Sequence, residues 1–348
     1  MGTADEPGAP GDKDPAAVVW GVLGASRFAL KKSVPRMLGG TMTSVRALAS
    51  RRIERAIAET RRLGIPRAYG SYDELLADPE IEAVYIPLPN HLHVEWCARA
   101  ARAGKHVLCE KPLALDAGQA ASLLVVQQET GVLIAEAVMV RSHPQWRAVR
   151  SLVQNGRIGS LRGISYVFSY NNTDPANIRN IRAAGGGALL DIGCYVVNTA
   201  RWLFESEPQR VFAFGERDPT SQVDRLTSGV LEFSSGHVTF SCATQQVPHE
   251  RVELLGTKGR IELQAPFKAP PDRTSRLQID DGRDVYGSGT EFIELPIADQ
   301  FALQADEFSL AIRKSLQPEN RLEDAISGMR VIDALFRSMV SGQAEVPR

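Results

Sequence analysis

The chain has 348 residues, 43% of them hydrophobic, and a formal net charge of −1. That length suits two domains, which commonly run about 100–200 residues each, and the charge excludes a basic surface of the kind that binds nucleic acid or anionic membrane. Cys97, Cys109, Cys194 and Cys242 are scattered, without a C-x-x-C pair or a nearby histidine cluster, so a disulfide framework and a metal site are not expected, and a reducing cytoplasm fits.

Residues 1–16 are polar and rich in Gly, Pro and Asp, with no apolar core of a signal peptide, and read as a disordered tail. No run of about 18 apolar residues is long enough to span a membrane. Residues 18–23 (VVWGVL) form a buried-strand pattern that runs into Gly24-Ala25-Ser26-Arg27-Phe28-Ala29. This matches G-x-G-x-x-G/A with Ser26 in the second position and Ala29 in the third, a turn that brings a pyrophosphate to a helix N-terminus. The next strand, residues 44–49, ends in Ser50-Arg51-Arg52. A dinucleotide site for NAD places Asp or Glu there. A hydroxyl and two guanidinium groups instead suit a 2′-phosphate, so the cofactor reads as NADP(H).

Residues 81–87 are a further strand that ends in a rigid loop, Pro87-Leu88-Pro89-Asn90-His91-Leu92-His93, expected over the dinucleotide. A helix over 94–103 stops at Gly104, and residues 105–109 form the next strand. That strand runs directly into Glu110-Lys111-Pro112, where a lysine at the carboxyl end of a sheet strand is placed to hold a substrate oxygen or to do acid/base work. A helix over 113–130 and a strand over 132–138 follow. Regular strand–helix alternation predicts a doubly wound parallel sheet over residues 17–140.

From residue 141 the pattern changes. A helix over 143–155 and a strand over 161–170 precede Gly185-Gly186-Gly187 and a helix over 188–204. Strand-like runs then recur from 210 to 295, and helices over 300–315 and 322–340 close the chain. Residues 141–348 are therefore expected to form an α+β domain with a large open, mainly antiparallel sheet. Within the helix after the glycines, Asp191 and Tyr195 are one turn apart on one face. A neighbouring lysine lowers a phenol's pKa and makes it a proton donor and acceptor near neutral pH.

The Gly24–Ala29 turn, the Pro87–His93 loop, Glu110-Lys111-Pro112 and GGGALLDIGCY at 185–195 together resemble the glucose–fructose oxidoreductase / inositol dehydrogenase / rhizopine-catabolism (Gfo/Idh/MocA) family. The resemblance implies a Rossmann domain, an open-sheet second domain that makes homo-oligomer contacts, and a nicotinamide cofactor. It implies Lys111 as catalytic lysine, Asp191 as the acid that orients substrate, Tyr195 as proton donor, and Arg179 as a cofactor contact. Cofactor contacts are expected from Gly24, Ser26, Arg27, Phe28, Ser50, Arg51, Arg52, Leu88, Pro89, Asn90, His93, Glu110 and Lys111. Within the family the chain is most similar to NADPH-dependent 3-ketoreductases of nucleotide-linked deoxysugars, through Leu48–Arg52, Tyr85–Pro89 and Ser142–Gln145. That branch implies reduction of the C3 ketone of a dTDP-3,4-diketo-2,6-dideoxyhexose, for whose diphosphate and base the chain offers Arg141, just past the sixth strand, and Tyr170 on the following one. Further rim candidates for a diphosphate and a base are Trp146, Tyr166, Phe168, His249 and Arg251. Two other readings stand beside it: an NADP-dependent aldose (xylose or glucose) dehydrogenase, and a regulator that binds NADP without chemistry. His91, His93 and His143 either touch ligand or pack structurally.

Overall fold

The computed structural model describes residues 13–348, which divide into two compact units. The first holds residues up to 113, 121–139 and 299–323. Its six strands are β1 (Val18–Leu23), β2 (Thr43–Ala49), β3 (Arg67–Tyr69), β4 (Ala83–Ile86), β5 (His106–Glu110) and β6 (Ile134–Ala137). They lie in the order β3-β2-β1-β4-β5-β6, all parallel. This is the doubly wound order, with its switch point between β1 and β4, where ligands bind outside the strands' carboxyl ends. β1 lies between two neighbours and is covered on both faces, which is why it reads as an unbroken apolar run.

Two expectations are corrected here. Residues 1–12 lie outside the described part of the expected tail, but 13–16 are tied down. Lys13 Nζ donates to the Leu38 carbonyl at 2.7 Å, Asp14 N–H to Thr41 O at 3.0 Å, and Arg313 Nε to Ala16 O at 2.6 Å. The helix Gln300–Lys314, expected in the second domain, belongs to the first unit. Trp20, fully buried on β1, donates to Ser309 Oγ at 3.0 Å and packs against Phe308 at 5.7 Å. Asp306 accepts from Thr41 N–H and Met42 N–H at 2.7 and 2.9 Å. Burying that much aromatic surface outweighs chain order in deciding where a helix docks.

A third correction concerns the helix expected from residue 113, which begins at Ala117. Asp116 caps it, its carboxylate accepting from Gln119 N–H at 2.8 Å and from the Gln119 side-chain amide at 2.7 Å. An aspartate just before the first helical residue signals this start.

The second unit holds residues 114–120, 140–298 and 324–348. Its eight strands are β7 (Leu161–Asn171), β8 (Arg210–Arg217), β9 (Asp224–Phe233), β10 (Gly236–Ala243), β11 (Gln245–Gly256), β12 (Arg260–Leu263), β13 (Ser275–Asp280) and β14 (Thr290–Leu295). Their order is β14-β13-β12-β11-β7-β10-β9-β8, antiparallel except for the β10–β7 pair. On β7, Ile164, Tyr166 and Phe168 are buried and Val167 is exposed, the alternation of a half-covered sheet. The helix Cys194–Phe204 follows a π-type turn, Leu189–Gly193, and both pack on the buried face. Among the described residues no helix is long and apolar enough to cross a membrane.

Candidate functional site

In the first unit the expected cofactor residues cluster at strand ends. Gly24 follows β1 with φ +115°, and its N–H donates to Ala49 O at 3.0 Å. A Cβ there would meet Leu88 Cδ2 at 2.6 Å, so conformation and space both demand glycine. Ser26, in place of the second glycine, accepts from Ala29 N–H through its hydroxyl at 3.1 Å and so caps the following helix. Arg27 is exposed, while the Phe28 ring sits edge-on to Phe301 at 5.9 Å. Ser50 is buried at the end of β2, with Arg51 and Arg52 exposed beside it. Arg55, which the sequence reading passed over, donates from Nη2 to Ala25 O at 2.6 Å and ties this basic cluster to the glycine turn. It lies in the first turn of the helix Ile53–Leu63, which starts just after Arg51 and Arg52.

After β4, Leu88 is buried, Pro89 and Asn90 are half-buried, and His91 is exposed. The His93 side chain is corrected from cofactor contact to internal clamp. It is fully buried, with Nδ1 2.8 Å from Pro112 O and Nε2 2.7 Å from Leu88 O. Burial pushes its pKa down to about 4 against the pull of both carbonyls. The clamp joins the Leu88 loop to the turn after β5, whose Lys111–Pro112 peptide is cis. Glu110 is 8% exposed and accepts from Tyr85 Oη at 2.5 Å. Burial, and then that carboxylate, raise the Tyr85 phenol far above its ordinary pKa. Lys111 is half-buried.

In the second unit three predicted residues meet. Asp191 Oδ2 accepts from Tyr170 Oη at 2.5 Å and from Arg179 Nε at 2.9 Å. Burial and the carboxylate raise the Tyr170 phenol, and the same carboxylate raises Arg179 further. Arg179 therefore holds Asp191, a role the sequence did not show. Tyr195 is 6% exposed, its ring 5.3 Å from Phe267 and 6.0 Å from Phe168.

Other substrate expectations are corrected. Arg141 is 3% exposed, donating to Asn198 O at 2.9 Å and paired with Asp324 at 3.0 Å. A guanidinium so committed is a core ion pair rather than a ligand contact. Trp146, Tyr166 and Phe168 are 0%, 1% and 3% exposed and stack around Phe267. His143 is fully buried, and Arg251 pairs with Glu262 at 2.5 Å. Conversely Lys268, unnoticed in the sequence, is exposed, with its ammonium 4.9 Å over the Phe168 ring and 5.8 Å over Tyr170.

Two family models match the chain. Residues 18–138 match the oxidoreductase family NAD-binding Rossmann fold, and 146–262 match the GFO/IDH/MocA C-terminal domain. An uncharacterized oxidoreductase of Rhizobium meliloti is 47% identical over 94% of this chain and 98% of its own length. The chain belongs to the Gfo/Idh/MocA oxidoreductase family. Within this Gfo/Idh/MocA group it is also 37% identical to a D-xylose 1-dehydrogenase (NADP(+)) of Haloferax volcanii, over 94% of this chain and 99% of the relative. A solved 3-ketoreductase from Actinomadura kijaniata, in complex with NADP and TDP-benzene, superposes with a TM-score of 0.85 at 31% identity, covering 92% of this chain and 98% of that one.

Proposed function

We propose that the chain is an NADP-dependent oxidoreductase acting on the CH–OH/C=O couple of a free sugar such as xylose or glucose. The observation that carries this reading is the Asp191 cluster. A carboxylate fixed in direction by a phenol and a guanidinium suits a sugar hydroxyl, while Arg141, Trp146, Tyr166 and Phe168, four of the side chains expected to grip a diphosphate and a base, lie in the core. In this reading Asp191 orients the hydroxyl beside the reacting carbon. Tyr195 moves the proton on the reacting oxygen and Lys111 stabilises its developing charge. Gly24 and Ser26 receive the pyrophosphate, and Ser50, Arg51 and Arg52 the 2′-phosphate. Bound nicotinamide supplies hydride transfer.

A second reading is reduction of the C3 ketone of a dTDP-linked 3,4-diketo-2,6-dideoxyhexose. The likeness to the solved ketoreductase supports it, as does Lys268, a cation over Tyr170 that suits a phosphate. Exposed apolar side chains on the second sheet, Phe214, Val230, Val167 and Val247 among them, support self-association through that sheet.

Turnover assays and calorimetry separate the two readings. The expected result is NADP reduction with xylose or glucose and no heat from millimolar thymidine diphosphate added to NADP-loaded protein. Tight thymidine diphosphate binding without aldose oxidation would replace the first reading by the second. Tight NADP binding with no turnover of either sugar class would favour the regulator.

A further inference from the structure

The first turn of the helix that carries Asp191 and Tyr195 is irregular. Leu189–Gly193 is a π-type turn, wider than an α-helical one and with a poorer hydrogen-bond pattern, so it needs fixing from outside. The fixing comes from β9. Asp224, at the start of that strand, is 3% exposed. Its Oδ2 accepts from Leu189 N–H at 2.7 Å and from the Thr227 hydroxyl at 2.9 Å. Gly187, with φ +118°, lies against the same carboxylate, and a Cβ there would sit 2.0 Å from Asp224 Oδ1.

The turn continues back to the Asp191 cluster. Asp191 N–H donates to Gly187 O at 3.1 Å, and Gly187 N–H to Arg179 O at 2.9 Å. Arg179 in turn holds the Asp191 side chain through Nε. One buried carboxylate thus seats both ends of the arrangement, the helix start and the turn that supplies its arginine. Burying a carboxylate is costly, and burial pushes this one up to about 6. An apolar residue would fill the same interior at lower cost but would leave the Leu189 N–H without an acceptor.

We propose that Asp224 is a positioning residue: it seats the turn that aims Asp191 and sets the start of the helix bearing Tyr195. The proposal rests on the reading of Asp191 and Tyr195 as site residues, so its test has a readout independent of turnover.

That readout is amide hydrogen exchange over residues 187–195, measured beside kcat, sugar KM and NADP affinity in full-length protein. Asp224→Ala is expected to speed exchange in this stretch by about fivefold, the scale of a lost helix cap, and to lower kcat with NADP affinity unchanged. Asp224→Asn keeps an acceptor for the Leu189 N–H and is expected to restore most of both. Thr227→Val, which removes one donor to the carboxylate, is the milder variant should Asp224→Ala not fold. It is expected to shift the same readouts in the same direction by about twofold. Unchanged exchange over 187–195 in a folded Asp224→Ala protein, or faster exchange with wild-type kcat, would overturn the proposal. Faster exchange in a protein whose wild type turns over no sugar would keep the seat and sink the oxidoreductase reading of the site.

Discussion

The candidate sites of the two units hold their polar groups by different means. At the candidate cofactor loops of the first unit the partners are main-chain groups: His93 lies between Leu88 O and Pro112 O, Ser26 accepts from Ala29 N–H, and Arg55 donates to Ala25 O, whereas Tyr85–Glu110 and Trp20–Ser309 in the same unit are side-chain pairs. Around Asp191, Asp224 and Asp324 in the second unit, side chains hold side chains. Tyr170 and Arg179 hold Asp191, Thr227 holds Asp224, and Arg141 and Arg201 converge on Asp324 at 3.0 and 3.1 Å. A site built on backbone depends on glycine turns and loop geometry, and single side chains around it act almost independently. A site built from side-chain pairs is coupled, so that removing one partner strands the other.

The largest effects are expected on turnover. Lys111→Ala and Tyr195→Phe should each lower kcat by about 10²–10⁴-fold, the scale of lost acid/base assistance, and Tyr195→Phe should leave NADPH affinity little changed. Steady-state kinetics with a cofactor titration checks this. Wild-type turnover in both variants would remove the chemical role from both units.

Next in size is a pH effect that acts on both units at once. Burial holds the imidazoles of His93 and His143 at pKa values of about 4, below the ordinary 6.5. The unfolded chain therefore takes up protons first as pH falls. The stability each contributes is complete above about pH 6.5 and is lost towards pH 4, at a scale of ~3 kcal/mol per histidine. Asp224 has the opposite sign. Raised to about 6 by burial, it is protonated first in the folded chain and offsets part of the loss between pH 6 and 4. Thermal melts between pH 7 and 4 should show a falling midpoint, and His93→Gln or His143→Gln should each flatten the slope. A midpoint independent of pH would contradict both assignments.

What was legible in the sequence follows the same division. The parallel sheet, the Gly24 turn, the Ser50-Arg51-Arg52 end of β2 and the strand ending in Glu110-Lys111 are local signals, each written in a few consecutive residues. Asp191 and Tyr195 were legible because one helical turn separates them. Asp224 was not, because its partner Leu189 sits on another element and an aspartate opening a strand carries no local mark. Arg141 misled for a related reason. An arginine after a strand looks available until Asp324, far along the chain, is seen to bind it. Trp146, Tyr166 and Phe168 misled because aromatic side chains suit a base and a core equally, and Phe267 decides for the core. The Gln300–Lys314 helix was placed by chain order, whereas Trp20 and Asp306 place it by burial and hydrogen bonds.

The smallest expected effects separate two kinds of arginine at one phosphate site. Arg51 and Arg52 are exposed at the end of β2 and are expected to act by charge on the 2′-phosphate, so Arg51→Ala should weaken NADPH and leave NADH nearly untouched. Ser50→Asp places a carboxylate in the same position and should reverse the preference. Arg55 differs, because its Nη2 is bound to Ala25 O inside the glycine turn. Removing it disturbs the backbone that both cofactors share. Arg55→Ala should therefore weaken NADPH and NADH alike, by about fivefold, the scale of one charge-assisted hydrogen bond. Fluorescence titration of both cofactors into the three variants checks the distinction. If Arg55→Ala spared NADH, Arg55 would be a phosphate ligand, and the candidate cofactor site would not be held by main-chain partners alone. If Ser50→Asp left the preference unchanged, the 2′-phosphate would lie elsewhere than the end of β2.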